Sequence, residues 1–206
     1  MNATTLLSED SVQPMNSRKA ATRARICDVA NELFFTQDFN SVTMEEIAKA
    51  AGIRRSTLYL HFRDKEAILD AIAKEFIAKL RRVIERLPGP EPTAKEIENW
   101  FGEYADFVST ERAATELMVS LGHMSKTYPA VMAFGDALMH MMGERLSAFK
   151  RALEPGESLA FACALSTLDI AGWALCHHAR DPDSELSKHR LTVASAALNR
   201  FVRGEL

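Results

Sequence analysis

Two short helical stretches separated by one glycine constrain this chain more tightly than anything else in its sequence. Thr43 precedes Glu46 by three positions, the spacing at which a threonine hydroxyl and a glutamate carboxylate reciprocally satisfy the free amides of a helix start. The helix opened in this way is short, because Gly52 breaks it. After Ile53 a second short helix carries Arg54, Arg55, Ser56, Thr57, Leu58 and Tyr59 and ends near Phe62, before Asp64 offers the N-cap of the next helix. Ala48 is small where the second helix crosses the first, Gly52 permits the positive φ of a tight turn, and Ile47, Ile53 and Leu58 set the angle between the helices. The spacing predicts a rigid helix-turn-helix bracket.

Elsewhere the apolar spacing from Arg18 onward is helical, with no sustained alternation of apolar and polar residues, which predicts an all-α fold. Ile26, Val29, Ala30, Leu33 and Phe34 stripe a first helix that Asp38 and Asn40 can stop. Leu69, Ile72, Phe76, Leu80, Val83 and Leu87 hold one face of a long helix until Pro88, Gly89, Pro90 and Pro92 end it. Further helical blocks are expected at 93–108, 111–125, 128–153, 156–180 and 187–203, separated by Pro129, by Pro155 and Gly156, and by the Asp181, Pro182, Asp183 turn. Residues 1–17 are polar and are expected to form a disordered tail.

Charge narrows the partners. With 25 Lys and Arg against 28 Asp and Glu the chain has a net charge of −3, so it does not coat nucleic acid by bulk charge. Residues 18–65 alone hold nine basic against six acidic residues, which places the positive region at the bracket. Cys27, Cys163 and Cys176 have no disulfide or zinc spacing, and a reducing compartment follows. Leu6 and Leu7 are too short an apolar run for a signal peptide, and no uninterrupted apolar stretch nears the ~20 residues of a membrane span. The expected location is cytoplasmic, with no membrane partner.

The start of the bracket's second helix offers Arg54, Arg55, Ser56, Thr57 and Tyr59, donors suited to phosphates or to base edges in the major groove. The stretch from Arg23 through Leu69 resembles the N-terminal domain of the tetracycline-repressor (TetR) family of bacterial regulators. The resemblance rests on Thr43-x-x-x-Ile47-Ala48-x-x-Ala51-Gly52, Thr57-Leu58-Tyr59, Phe62 and Asp64-Lys65-Glu66. It implies that Thr43 and Lys65 grip phosphates from two helix N-termini, that Tyr59 and His61 contact the DNA backbone, and that Arg54, Arg55 and Thr57 lie nearest the bases. The sequence departs from the family pattern at Asp38, where a glycine is usual, and at Arg54, Leu60 and His61.

The second half is rich in aromatic residues and methionines, which suit either an ordinary helical core or an adaptable pocket. Candidate ligand residues are Trp100, Tyr104, Phe107, Met118, His123, Phe134, Met141, Asp169 and Trp173. Asp169 sits among Leu165, Leu168, Ile170 and Ala171 and calls for a partner, which could be a ligand, a second subunit or solvent. Cys176, His177 and His178 diverge by about 100° per residue on one helix and cannot converge on a zinc ion, so no metal is expected. Cys176, His123 and Asp169 lack a glycine-rich oxyanion loop or a nucleophile elbow, so an enzyme is not expected either.

Small residues in block 156–180 and the stripe Leu191, Ala194, Leu198, Phe201 and Val202 mark the last two helices as a homodimer seam. A dimer is also needed because one helix-turn-helix reads only a few base pairs. The expected organisation is the tail over 1–17, a helix-turn-helix DNA-binding domain over 18–64, and a larger helical ligand-binding and dimerisation domain over 65–206, with helix 65–87 connecting the two. The resemblance implies a cofactor-free transcriptional repressor, released from a palindromic double-stranded operator by a hydrophobic small-molecule effector. A helical protein-interaction module without specific DNA binding is the alternative from a different class.

Overall fold

A computed structural model describes residues 12–122 and 128–205. Every regular element among them is a helix: α1 (Val12–Thr36), α2 (Met44–Ala50), α3 (Arg55–His61), α4 (Lys65–Ile84), α5 (Ala94–Thr110), α6 (Arg112–Gly122), α7 (Pro129–Arg145), α8 (Ser147–Ala152), α9 (Ser158–Arg180) and α10 (Glu185–Val202). The chain divides into two compact units between Leu69 and Asp70, so that α4 begins in the first and continues in the second.

In the first unit α1 starts at Val12, so residues 12–17, expected in the tail, are helical; residues 1–11 lie outside the described residues. Ile26, Ala30 and Phe34 bury one face of α1. Beyond its end, Asp38 organises the loop by accepting from the Asn40 amide through Oδ1 at 2.8 Å and from Ser41 and Val42 through its backbone carbonyl. The capping box at α2 is complete: the Glu46 amide donates to the Thr43 hydroxyl, and the Thr43 amide donates to the Glu46 carboxylate at 2.7 Å. Hydrogen bonding to Thr43 holds the Glu46 carboxyl below the usual carboxylate range.

Gly52 has φ +63, and a Cβ there would meet nothing within 4 Å, so backbone conformation rather than space demands glycine. The amides of Gly52 and Ile53 close the turn on the carbonyls of Lys49 and Ala48. Ile47, Ala48 and Leu58 are buried as the wedge requires, whereas Ile53 is only half-buried. Asp64 Oδ1 accepts from the Ala67 amide at 2.7 Å and so caps α4. At the first residue of that helix, Lys65 Nζ donates to the backbone carbonyls of Phe39, Asn40 and Val42 at 2.7, 2.9 and 3.0 Å.

In the second unit Ile72, Phe76, Leu80, Val83 and Leu87 are buried, as their spacing predicts. The expected continuous block 128–153 is broken at Leu146, whose backbone is extended (φ −119, ψ 125). The reason lies in the proline-rich segment, whose carbonyls need donors. Arg145 donates to the Leu87 carbonyl through Nε at 3.0 Å and Nη2 at 2.6 Å, and the break at Leu146 frees the Ser147 amide to donate to the Pro90 carbonyl at 3.1 Å. Gly89 fits because any Cβ there would lie 2.1 Å from the Arg145 carbonyl oxygen.

α9 packs against α10, α5, α8 and α6. By length and composition it is long and apolar enough to cross a membrane, a test that core helices also pass, and Asp169 interrupts its apolar run. Ala164, Thr167, Ala171, Ala174 and Leu175 bury one face of it, as in the core helix of a bundle.

Glu116 on α6 is buried and held by two arginines. Arg180, the last residue of α9, donates through Nε at 2.9 Å and also through Nη2, and Arg112 donates through Nε at 3.0 Å. Burial alone would raise the Glu116 pKa, but the hydrogen bonds and charges of Arg180 and Arg112 outweigh it and hold the carboxyl below its ordinary value.

Two stability predictions follow from these contacts. Glu116→Gln should lower unfolding free energy by about 1–3 kcal/mol, because it leaves Arg180 and Arg112 without their counter-charge; the arginines' partial exposure keeps the loss below that of a fully buried pair. Urea unfolding at neutral pH checks this, and an unchanged midpoint would refute it. Lys65→Met should cost about 1–3 kcal/mol and speed amide hydrogen exchange in residues 38–43, since three carbonyls lose their shared donor. Undiminished protection of that loop would count against the ammonium as its anchor.

Candidate nucleic-acid face and ligand cavity

In the first unit, α3 turns Leu58 inward and leaves Arg55, Ser56, Tyr59 and Leu60 exposed. Arg54, its N-cap, is extended (φ −71, ψ 147) and exposed, and Thr57 is half-buried. The Arg55 guanidinium lies 5.7 Å from the Tyr59 ring centroid and 3.7 Å from the carboxylate of Glu45 on α2. Both charged groups of that ion pair are largely exposed, so the pair is weak and exchanges easily for another anion. The arrangement is a row of donors on a helix fixed by a buried leucine.

The remaining candidates on this unit serve the fold as much as a face. The Thr43 hydroxyl is engaged in the capping box. His61 ends α3 with its Nδ1 buried and without a hydrogen-bond partner, while Arg23 donates to its carbonyl and stacks 4.0 Å from the centroid of Phe62. Burial, followed by the charges of Lys19 and Arg23, holds the His61 imidazole below its ordinary pKa, so at neutral pH it is uncharged. The Lys65 ammonium, expected to grip phosphate, has three donors and donates to the carbonyls of Phe39, Asn40 and Val42. Leu60, one of the departures from the family pattern, also stands on this helix. It is 79% exposed, and its place in the family's His-Tyr pair is the signal the sequence offers.

The second unit encloses a cavity of about 390 Å³, within the range of ~300–1,000 Å³ usual for small-molecule sites. Its walls come from α4 through α7 and from α9. Five of the sequence candidates meet there: Tyr104, Met118, Phe134, Asp169 and Trp173. Phe76, Thr115, Val131, Asp136, Met139 and Phe161 are among the lining residues the sequence did not single out. Burial pushes the Tyr104 phenol well above its ordinary pKa, so its hydroxyl stays protonated and can donate.

Three candidates are corrected to core positions. Trp100 is buried with Nε1 donating to the Val83 carbonyl at 2.9 Å, and Met141 is buried within α7. Phe107 stacks on Phe76 and Tyr104 at 5.7 and 6.3 Å between ring centroids and does not reach the cavity wall. His123 lies outside the described residues. Asp169 proves to be exposed, not buried in apolar surroundings. Cys176 is buried, and that burial, with the nearby Glu116 charge, pushes its thiol up to about 12, the opposite of an activated nucleophile. Among the described residues no group of three or more His, Cys, Asp or Glu could hold a metal ion.

Comparison with known proteins agrees with the bracket's geometry. Residues 26–72 match the model of the bacterial regulatory proteins, tetR family. The HTH-type transcriptional repressor KstR2 of Rhodococcus jostii is 28% identical over 131 residues, covering 61% of this chain and 54% of that protein. The HTH-type transcriptional regulator EthR of Mycolicibacterium smegmatis is 30% identical over 115 residues, 53% of each. The chain thus spans about half the length of these curated relatives. Among solved structures, Thermus thermophilus FadR, a TetR-family repressor in complex with lauroyl-CoA, superposes with a TM-score of 0.55 at 26% identity over 89% of this chain and 95% of that one. Over residues 26–72 this chain is thus similar to the bacterial regulatory proteins of the tetR family, and its helical fold is similar to that of Thermus FadR.

Proposed function

We propose that the chain is a cytoplasmic, sequence-specific DNA-binding transcriptional regulator, a repressor without enzymatic activity, that leaves its operator when a small molecule with an apolar body occupies the cavity. The observation that carries this reading is the exposed donor face of α3, in which Arg55, Ser56 and Tyr59 stand together on a helix locked by Leu58 and the Gly52 turn. Relatives support the sign and the trigger: KstR2 is a transcriptional repressor, and Thermus FadR is a repressor seen with lauroyl-CoA.

In this reading Arg54, Arg55 and Thr57 read base edges, Tyr59, Ser56 and Thr43 hold the backbone, and His61 adds a neutral hydrogen bond. Specificity from so few base contacts needs two copies on a palindromic site. The seam assigned to the C2 homodimer is formed by α9 and α10. Support comes from Leu159, Ile170, Leu186 and Val193, large apolar side chains exposed on those helices. α4 starts with Lys65 and carries Phe76 on the cavity wall, so it is the covalent route by which an occupied cavity biases the spacing of the recognition helices. The bias is limited by the effector's differential affinity for the two conformers.

Binding of the purified full chain to the DNA upstream of its own coding region, across a salt series and against an unrelated competitor, tests the proposal. Saturable binding that resists competitor and weakens log-linearly with salt is expected. Arg55→Ala should relax preference at particular base pairs at a cost of about 1–3 kcal/mol, whereas Tyr59→Ala should weaken binding to all sequences alike. If neither upstream DNA nor any fragment of a genomic library bound more tightly than competitor, the reading would fail in favour of a protein-docking module.

A further inference from the structure

The cavity's chemistry narrows the effector, if the ligand-responsive reading above holds. Its wall carries five aromatic rings, those of Phe76, Tyr104, Phe134, Phe161 and Trp173. It also carries two carboxylates, Asp136 on α7 and Asp169 on α9, and no lysine, arginine or histidine among the described lining residues. Both aspartates are exposed, which places them where the cavity meets solvent. Neither forms an ion pair with another described residue, while Arg112 and Arg180 are turned onto Glu116 away from the wall.

We propose that the cavity takes a lipophilic cation, an ammonium or comparable positive head on an apolar body. The aromatic faces carry the negative lobes of their ring quadrupoles and attract a desolvated cation. The two carboxylates supply the counter-charge at the opening, where a charged head keeps part of its hydration. An anionic head meets the reverse: it loses water on entry, finds no cation among the described wall residues, and faces two like charges. The cavity therefore sorts ligands of equal hydrophobicity by the sign of the head group. That discrimination lies beyond what apolar lining alone can supply.

Four probes with the same ten-carbon chain separate these terms: decyltrimethylammonium, decanol, decanoate and decanoyl-CoA. Each is titrated into the full chain, read by calorimetry and by the fluorescence of Trp173 on the wall, and then added to the DNA complex. The ammonium should bind about tenfold more tightly than decanol, and decanoate more weakly than decanol. Asp136→Asn combined with Asp169→Asn should remove that tenfold advantage and leave decanol affinity unchanged, a pattern that misfolding would not produce because it would lower both. If decanoate or decanoyl-CoA bound best and released the DNA, the cation proposal would be overturned while the ligand-responsive reading stood. Equal affinity for ammonium and alcohol would overturn it too. Binding of none of the four, with DNA binding intact, would remove the effector cavity itself.

Discussion

Three carbonyls of the loop after the first helix converge on one ammonium, and the first unit is built around that convergence. Phe39, Asn40 and Val42 belong to the loop after α1, and Lys65 opens α4. The contact therefore fixes the end of the first helix, the entry to α2 at Thr43, and the start of the fourth helix at a single point. The bonds to Phe39 and Val42 are part-buried, where a carbonyl that loses a donor is costly, so Lys65 stabilises the loop's irregular backbone. A lysine in a first helical turn is mildly unfavourable against the positive end of the helix dipole. Here the carbonyl oxygens offset that repulsion, and the fold has no need of a phosphate to explain the residue.

How far the sequence could be read follows from the range of each interaction. Thr43 with Glu46, Asp64 with Ala67, and Gly52 with its positive φ are local arrangements, closed within a few residues, and all of them are legible as patterns. The Lys65 contacts join residues 23 to 26 positions apart, and the Arg180 to Glu116 contact spans 64. No spacing rule reaches that far. The break at Leu146 was hidden for the same reason: its apolar stripe reads as one helix, and only the carbonyls of Leu87 and Pro90, more than fifty residues earlier, require it to end.

The cavity shows the same limit in another form. Periodicity tells which residues of a helix share a face, but not which part of that face a neighbouring helix covers. Trp100 and Tyr104 sit one helical turn apart on α5, yet the indole is spent on the Val83 carbonyl while the phenol reaches the cavity. Phe107 supports Tyr104 and Phe76 from behind by ring contact and so shapes the wall without touching its contents. Asp136 was passed over because its surroundings on α7 look like an ordinary exposed turn, and its place at the opening depends on where α9 lies.

These constraints also fix where positive charge can act on the α3 face. Lys65 is committed to carbonyls, and His61 is held neutral by its own burial and by Lys19 and Arg23. What remains at neutral pH is Arg54 and Arg55, with Arg55 loosely paired to Glu45 and resting near Tyr59. A guanidinium held by an exposed carboxylate and an aromatic face is pre-oriented, and it can exchange the carboxylate for a phosphate or a guanine edge with little net change in its hydration. On the proposed reading Glu45 would act against indiscriminate binding, because every non-specific phosphate would compete with it, whereas a site that also satisfies the bidentate geometry of Arg55 would gain more than the ion pair it displaces. A chain with a net charge of −3 can be selective for DNA on this basis. On the proposed reading its affinity would rest on a few oriented donors, without a global charge that holds it to any duplex.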